Sequence, residues 1–194
     1  MATLGATIST ADYVPAASPV FTGDPTAPTA TFADNDTSIA TTAFVEAARP
    51  KYARVTGSNA TTSSTTLVDI TGLTLALATG ATYEFEANLT ASTSAVTTGI
   101  KYGVNYSSTV SLIEATIIGT LASATPTDRV ERIFALNTPS NIFHTTSAST
   151  VGGVLIKGVV TTTGVGNLTI SHLKVTSGTS TVFIGSFLKV TRIA

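Results

Sequence analysis

The sequence predicts an all-β protein, a sandwich or jelly roll preceded by an extended arm and one short helix. Three observations lead there. From Tyr52 onward, apolar and polar residues alternate in short runs separated by Gly, Pro, Asn and Ser turns. The first 37 residues carry Pro15, Pro19, Pro25 and Pro28 and no sustained period of 2 or 3.6. Charged residues are only 11% of the 194 while hydrophobic ones reach 43%, a composition that is neither disordered nor richly charged at the surface.

Residues 1–37 come first and read as an arm. Proline removes a backbone donor and fixes φ, so four of them in this stretch discourage regular structure. A structureless run this long sits badly inside a compact domain. It orders by lying against sister chains or a larger assembly, which makes it an attachment device. Tyr13, Pro15, Pro19, Phe21, Pro25, Pro28 and Phe32 are the residues expected to make that attachment.

The segment 38–51 follows as a helix. Asn35, Asp36, Thr37 and Ser38 are all acceptable N-caps, and Pro50 stops the run. Ile39, Ala43, Phe44 and Ala47 fall on one side at helical spacing. A helix of about ten residues is marginal alone in water, so it must pack on something. Three copies around an axis with Ile39, Ala43 and Ala47 inward satisfy that need; packing on its own domain satisfies it nearly as well.

Residues 52–194 read as the β-domain. Tyr83, Phe85, Ala87 and Leu89 alternate with Glu84, Glu86 and Asn88 in a half-buried strand, and Tyr102, Val104 and Tyr106 share one face of another. Further strands are expected at Thr65–Ile70, Leu73–Ala78, Val110–Ile118, Arg129–Leu136, Ile142–Thr146, Val154–Val160, Leu168–Val175 and Val182–Ile193. The last of these is apolar on both sides. Val182, Ile184, Leu188 and Val190 point one way, and Phe183, Phe187 and Ile193 the other. A sandwich strand with one core has one polar face, so the second apolar face asks for cover from a neighbouring subunit. Glu84, Glu86 and Lys101 mark solvated faces.

Composition narrows the function. A net charge of -1 lacks the basic footprint of a nucleic-acid binder. No run reaches the ~20 apolar residues of a membrane span, and the opening residues lack the charged and apolar regions of a signal peptide. With no Cys there is no disulfide or thiolate chemistry, which suits synthesis in a reducing cytoplasm. The mean hydropathy of +0.37, with so few charges, points to apolar surface buried between subunits. Thr and Ser together make close to a third of the residues; such small side chains coating a monomer are the alternative.

A search for chemistry comes back empty, and the chain is expected not to be an enzyme and to need no cofactor or metal. His144 and His172 show no ligand spacing. Ser171 beside His172 is not a nucleophile elbow. Asp34-Asn35-Asp36-Thr37 lacks the Gly and the terminal Glu of a calcium loop. Gly164-Val165-Gly166 reads as a hairpin turn with no helix after it to hold a phosphate. Glu84 and Glu86, two apart on one strand face, fit a solvated sheet better than a glycosidase pair.

One stretch carries more. "SPVFTGDPTAPTATFADNDTSIATTAFV", Ser18 to Val45, resembles the tail-fibre repeat of tailed bacteriophages, S-P-x-F-T-G-x-P-T-A-P-T-A with an I-A-T-T-A-F-V ending. Ser18 through Ala30 follow the first part and Ile39 through Val45 the second. Long fibres repeat the unit many times; this chain has it once. Residues 67–194, through "TLALATGATYEFEANLTAST", "TTGIKYGVNY" and "STVFIGSFLKVTRIA", look like the jelly roll of phage virion-surface trimers, which are similar to tumour-necrosis-factor-like trimers. The resemblance implies a homotrimer on the virion surface, made in the host cytoplasm, whose residues 1–37 hold capsid or tail proteins. Its trimer interface would take Ile39, Ala43, Ala47, Phe183, Phe187 and Ile193. One repeat ahead of a jelly roll makes a stubby object, which favours a capsid decoration or head spike. A short tail fibre or tip touching host-surface glycan is the alternative; Tyr102 and Tyr106 are candidates to stack on it, although their alternation with Lys101 and Asn105 fits core positions better.

Overall fold

The computed structural model describes residues 23, 26–35, 39–95, 97–121, 127–141 and 151–194. The chain forms two compact units, Met1–Val45 and Glu46–Ala194. The division falls inside the segment 38–51 expected as the helix.

In the first unit the Asp34 amide donates to the Thr31 carbonyl at 3.2 Å, closing a turn around Ala33, whose φ is +65°. Thr41 caps helix α1 (Thr42–Ala48). Its side-chain oxygen accepts from the Phe44 N–H at 3.2 Å, which satisfies one of the orphan donors of the first turn, and its O–H donates to Thr29 at 3.2 Å. This cap lies past the expected Asn35–Ser38, of which 36–38 are outside the described residues. The helix is accordingly seven residues long, and Ile39 precedes it rather than sharing a face with Ala43 and Ala47.

Among its described residues the second unit holds eleven strands: β1 (Lys51–Arg54), β2 (Ala60–Thr62), β3 (Val68–Leu77), β4 (Thr82–Thr93), β5 (Ile100–Tyr106), β6 (Val110–Leu121), β7 (Thr127–Ile133), β8 (Gly152–Thr162), β9 (Gly166–Lys174), β10 (Ser180–Val182) and β11 (Phe187–Arg192). The large sheet runs β1-β11-β4-β8-β6-β7, with β10 joined to β4 and β2, and the small sheet runs β3-β9-β5. Every pairing is antiparallel. The pairs β1–β11, β2–β10, β3–β9 and β4–β8 are nested, first strand with last, and the chain crosses to the small sheet for β3, β5 and β9. That wrapping is the jelly-roll pattern, so the fold is all-β and jelly-roll-like.

The period-2 pattern lands where it was read. Tyr83, Phe85, Ala87 and Leu89 of β4 and Tyr102, Val104 and Tyr106 of β5 are all buried, facing Ile156, Val160, Leu168 and Ile170 in one core. Two expected strands, Thr65–Ile70 and Leu73–Ala78, are one strand, β3, whose register against β9 shifts between Asp69 and Thr74. Gly72 makes the bulge, at φ +93° and so close to β1 that a Cβ would sit 2.6 Å from the Arg54 carbonyl oxygen. The expected strand Ile142–Thr146 lies outside the described residues.

The expected final strand, Val182–Ile193, is two strands. Phe183–Ser186 intervenes as a turn with Gly185 at φ +95°. The inward face survives the break, because four intervening residues keep the alternation in phase: Val182, Leu188 and Val190 are buried. Ile184 does not join them. It stands in the turn, exposed, since the turn lifts it out of the pleat.

Candidate functional surfaces

The expected attachment residues Tyr13, Pro15, Pro19, Phe21 and Pro25 lie outside the described residues. Pro28 is exposed and Phe32 half-buried. Ile39, Ala43 and Ala47 are all exposed, and no residue of α1 is buried. Phe44 alone among its large apolar residues is half-buried against the described residues.

The outer face of the large sheet is built by register. Side chains on a strand alternate between faces, so each outward position lines up across the sheet with its paired neighbours. One line carries Arg54, Phe187, Asn88, Leu155, Ile118 and Val130 on β1, β11, β4, β8, β6 and β7. The next carries Tyr52, Lys189, Glu86, Lys157, Thr116 and Arg132 along the same strands. The first is largely apolar: Phe187 and Leu155 are half-buried, Ile118 is 38% exposed and Val130 64%. The second is charged, with Lys157 Nζ 3.1 Å from Glu86 Oε2. Beyond it Arg132 reaches Glu114 at 3.1 Å and lies 5.9 Å over the Phe134 ring. Exposed pairs of this kind contribute less than about 1 kcal/mol each.

Phe187 meets Tyr52 on this face, ring centroids 6.5 Å apart and tilted by 49°. Phe183, just past β10, is half-buried, and Ile193 lies beyond β11, half its surface exposed. Glu84 is exposed as expected; Glu86 and Lys101 are partly covered. The apolar line through Leu155, Ile118 and Val130 escaped the sequence reading, although the alternation in "SLIEATII" and "GGVLIKGVV" holds its signal.

The catalytic candidates do not converge. His172 and Ser171 are adjacent on β9 and so point to opposite faces. His172 Nδ1 lies 3.2 Å from Ser180 Oγ, while Ser171 donates to Asp69 Oδ1 at 2.7 Å. No relay runs through both. Burial lowers the His172 pKa to about 4, so the ring is neutral near pH 7. His144 lies outside the described residues, among which no group of three His, Cys, Asp or Glu is placed to hold a metal. Tyr102 and Tyr106 are core residues, not a sugar-stacking surface; Tyr106 donates to the Gly164 carbonyl at 2.7 Å. No helix among the described residues is long and apolar enough to cross a membrane.

The described residues of the second unit leave several hollows, among them one of about 370 Å³ over Glu84, Glu114, Thr116 and Lys157 on the charged face of the large sheet. A small one, about 70 Å³, has Arg49, Lys51, Arg192 and Tyr83 around it, but Arg49 is paired with Glu46 at 3.0 Å and Arg192 donates to the Ala194 carbonyl at 3.1 Å. A larger one, about 520 Å³, lies at the far end of β4 and is lined by Ser92, Thr93, Ser94, Thr179 and Thr181 beside Val151 and Phe183. Nothing in the sequence marks it: with Thr and Ser at close to a third of the chain, hydroxyl groups form no pattern of their own.

No protein-family model matches the chain, and no curated protein does. Among solved structures it aligns with a chain of the infectious bursal disease virus Gt strain at 13% identity and a TM-score of 0.20, over 89% of this chain and 43% of that one. The Gx strain of the same virus gives 12% and 0.18, over 74% and 39%. The chain thus spans less than half the length of either.

Proposed function

We propose that this chain is a structural protein of a bacteriophage virion, a homotrimer that decorates the capsid as a head spike and is anchored by residues 1–37. The observation that carries this reading is the joining of two modules in one chain. The single unit Ser18–Val45 resembles a tail-fibre repeat, and a jelly-roll-like domain follows it directly. The apolar line on the outer face of the large sheet supports assembly, since exposed apolar surface of this kind marks interaction sites. The scatter of His, Ser and Asp over separate faces is what a structural role requires and nothing more.

A second reading, a short tail fibre or receptor-binding tip that touches host-surface glycan, is favoured by the hydroxyl-lined hollow. Purified virions labelled with a gold-tagged antibody against residues 52–194 separate the two. Gold spread over the heads is the expected result. Gold confined to the tail moves the protein to the second reading, and virions without gold overturn both.

A further inference from the structure

The geometry points to a binding site for a neutral sugar in the hollow between β10 and the C-terminal end of β4. The site is a property of the folded second unit and does not depend on the head or tail location.

The hollow is built by register. Thr181 pairs with Ser92, and the next strand contributes Val151 and then Gly152, the partner of Ala91. Gly153 pairs with Thr90, and a Cβ placed on it meets nothing within 4 Å, so the backbone next to Val151 is uncrowded on this side. The Phe183 N–H donates to the Thr90 carbonyl at 2.8 Å, which fixes the backbone of Phe183 beside the hollow that its side chain helps line. The ring is half-buried, leaving part of its surface open.

The hydroxyls supply both halves of a hydrogen bond. Ser94 Oγ accepts from the Thr179 N–H at 2.8 Å, so its own proton remains to donate. Thr93 is buried and spends its proton on the Ala95 carbonyl at 3.1 Å, so it shapes the wall and leaves the ligand to its neighbours. Thr181 shares a hydrogen bond of 2.9 Å with Thr61 and keeps capacity on its far side, because a hydroxyl has one donor and two acceptor sites. Among the described residues no charged side chain lines the hollow.

A pyranose presents the matching chemistry. It has neutral hydroxyls that both give and take hydrogen bonds, and a C–H face that lies on an aromatic ring. A volume of about 520 Å³ falls in the range that holds small ligands. The described lining residues offer no cation, which disfavours sialic and uronic acids, whose carboxylates need a partner when desolvated.

Saturation-transfer NMR on the full chain tests this with the methyl glycosides of glucose, galactose, mannose and N-acetylglucosamine, and with N-acetylneuraminic acid as the charged probe. The expected result is saturation of the ring C–H protons of at least one neutral glycoside, stronger than for the acid. Phe183→Ala removes the stacking surface. Thr181→Val keeps the shape of the side chain and removes one hydroxyl. Each is expected to weaken binding by about ten-fold, which corresponds to ~1.4 kcal/mol. The inference is overturned if no neutral glycoside responds, if the acid responds more strongly, or if binding survives both substitutions undiminished. None of these outcomes touches the virion reading, which the gold labelling decides separately.

Discussion

His172 stands at the seam of the sandwich, on β9 of the small sheet with its ring against Ser180 of β10 in the large one. It is 1% exposed, and burial lowers its pKa from 6.5 to about 4. The neutral ring is therefore favoured in the folded state, while the unfolded chain takes up a proton near pH 6.5. The stability this contributes is complete above that value and is lost as the pH falls from about 6.5 toward 4. The difference between pH 7 and 4.5 amounts to about 2 kcal/mol. Urea titrations at the two pH values should show that much more loss in the wild type than in His172→Gln, which lacks the titrating ring. Equal losses in both would remove the assignment.

At the scale of elements, β8 shows what a glycine does between two partners. Gly158 pairs with Phe85 of β4 on one side and Ala115 of β6 on the other. A Cβ there would lie 2.5 Å from Phe85 Cζ and closer still to the Glu114 carbonyl oxygen, so the Phe85 ring lies across the bare backbone. Gly158→Ala should destabilise the fold by about 1–3 kcal/mol, as overpacking does in a filled core, read as a lower urea midpoint at pH 7; an unchanged midpoint would show that Phe85 shifts freely. Helix α1 is the opposite case, a segment whose length was set locally. Its start moved from Asn35–Ser38 to Thr41 because the Thr41 hydroxyl closes the cap on Phe44. Several hydroxyl residues in a row were equal candidates by type, and only the turn of the backbone selects among them. The same limit explains β3: the alternation showed two strands, but the fusion through Gly72 depends on how closely β1 passes.

For the whole molecule, the outer face of the large sheet matters most. Six strands spaced by about 4.8 Å span ~24 Å, wide enough for the roughly 800 Å² per partner that a stable interface needs. On the proposed reading Phe187 is buried there by a second subunit, next to Tyr52. Phe187→Asp should convert a trimer to monomers in sedimentation velocity with the far-ultraviolet circular dichroism unchanged. A trimer that persists would exclude this face as the interface. Phe183 and Phe187, expected on one face of a single strand, are parted by the turn at Gly185. Phe183 lines the hydroxyl hollow, Phe187 the apolar line.

By itself the sequence determined the class of fold and the inward residues of most strands, because a period of two needs only local geometry and the preference of apolar groups for the interior. Tyr83, Phe85, Tyr102, Val104, Leu188 and Val190 were legible for that reason. Only the tertiary structure decided which strands pair, and so which outward residues become neighbours. Phe187, Leu155, Ile118 and Val130 are far apart in the chain and meet through register alone. The hollow at Ser92, Thr181 and Phe183 has the same origin: hydroxyl groups have no period of their own, and a cavity is made by what three separate segments leave unfilled.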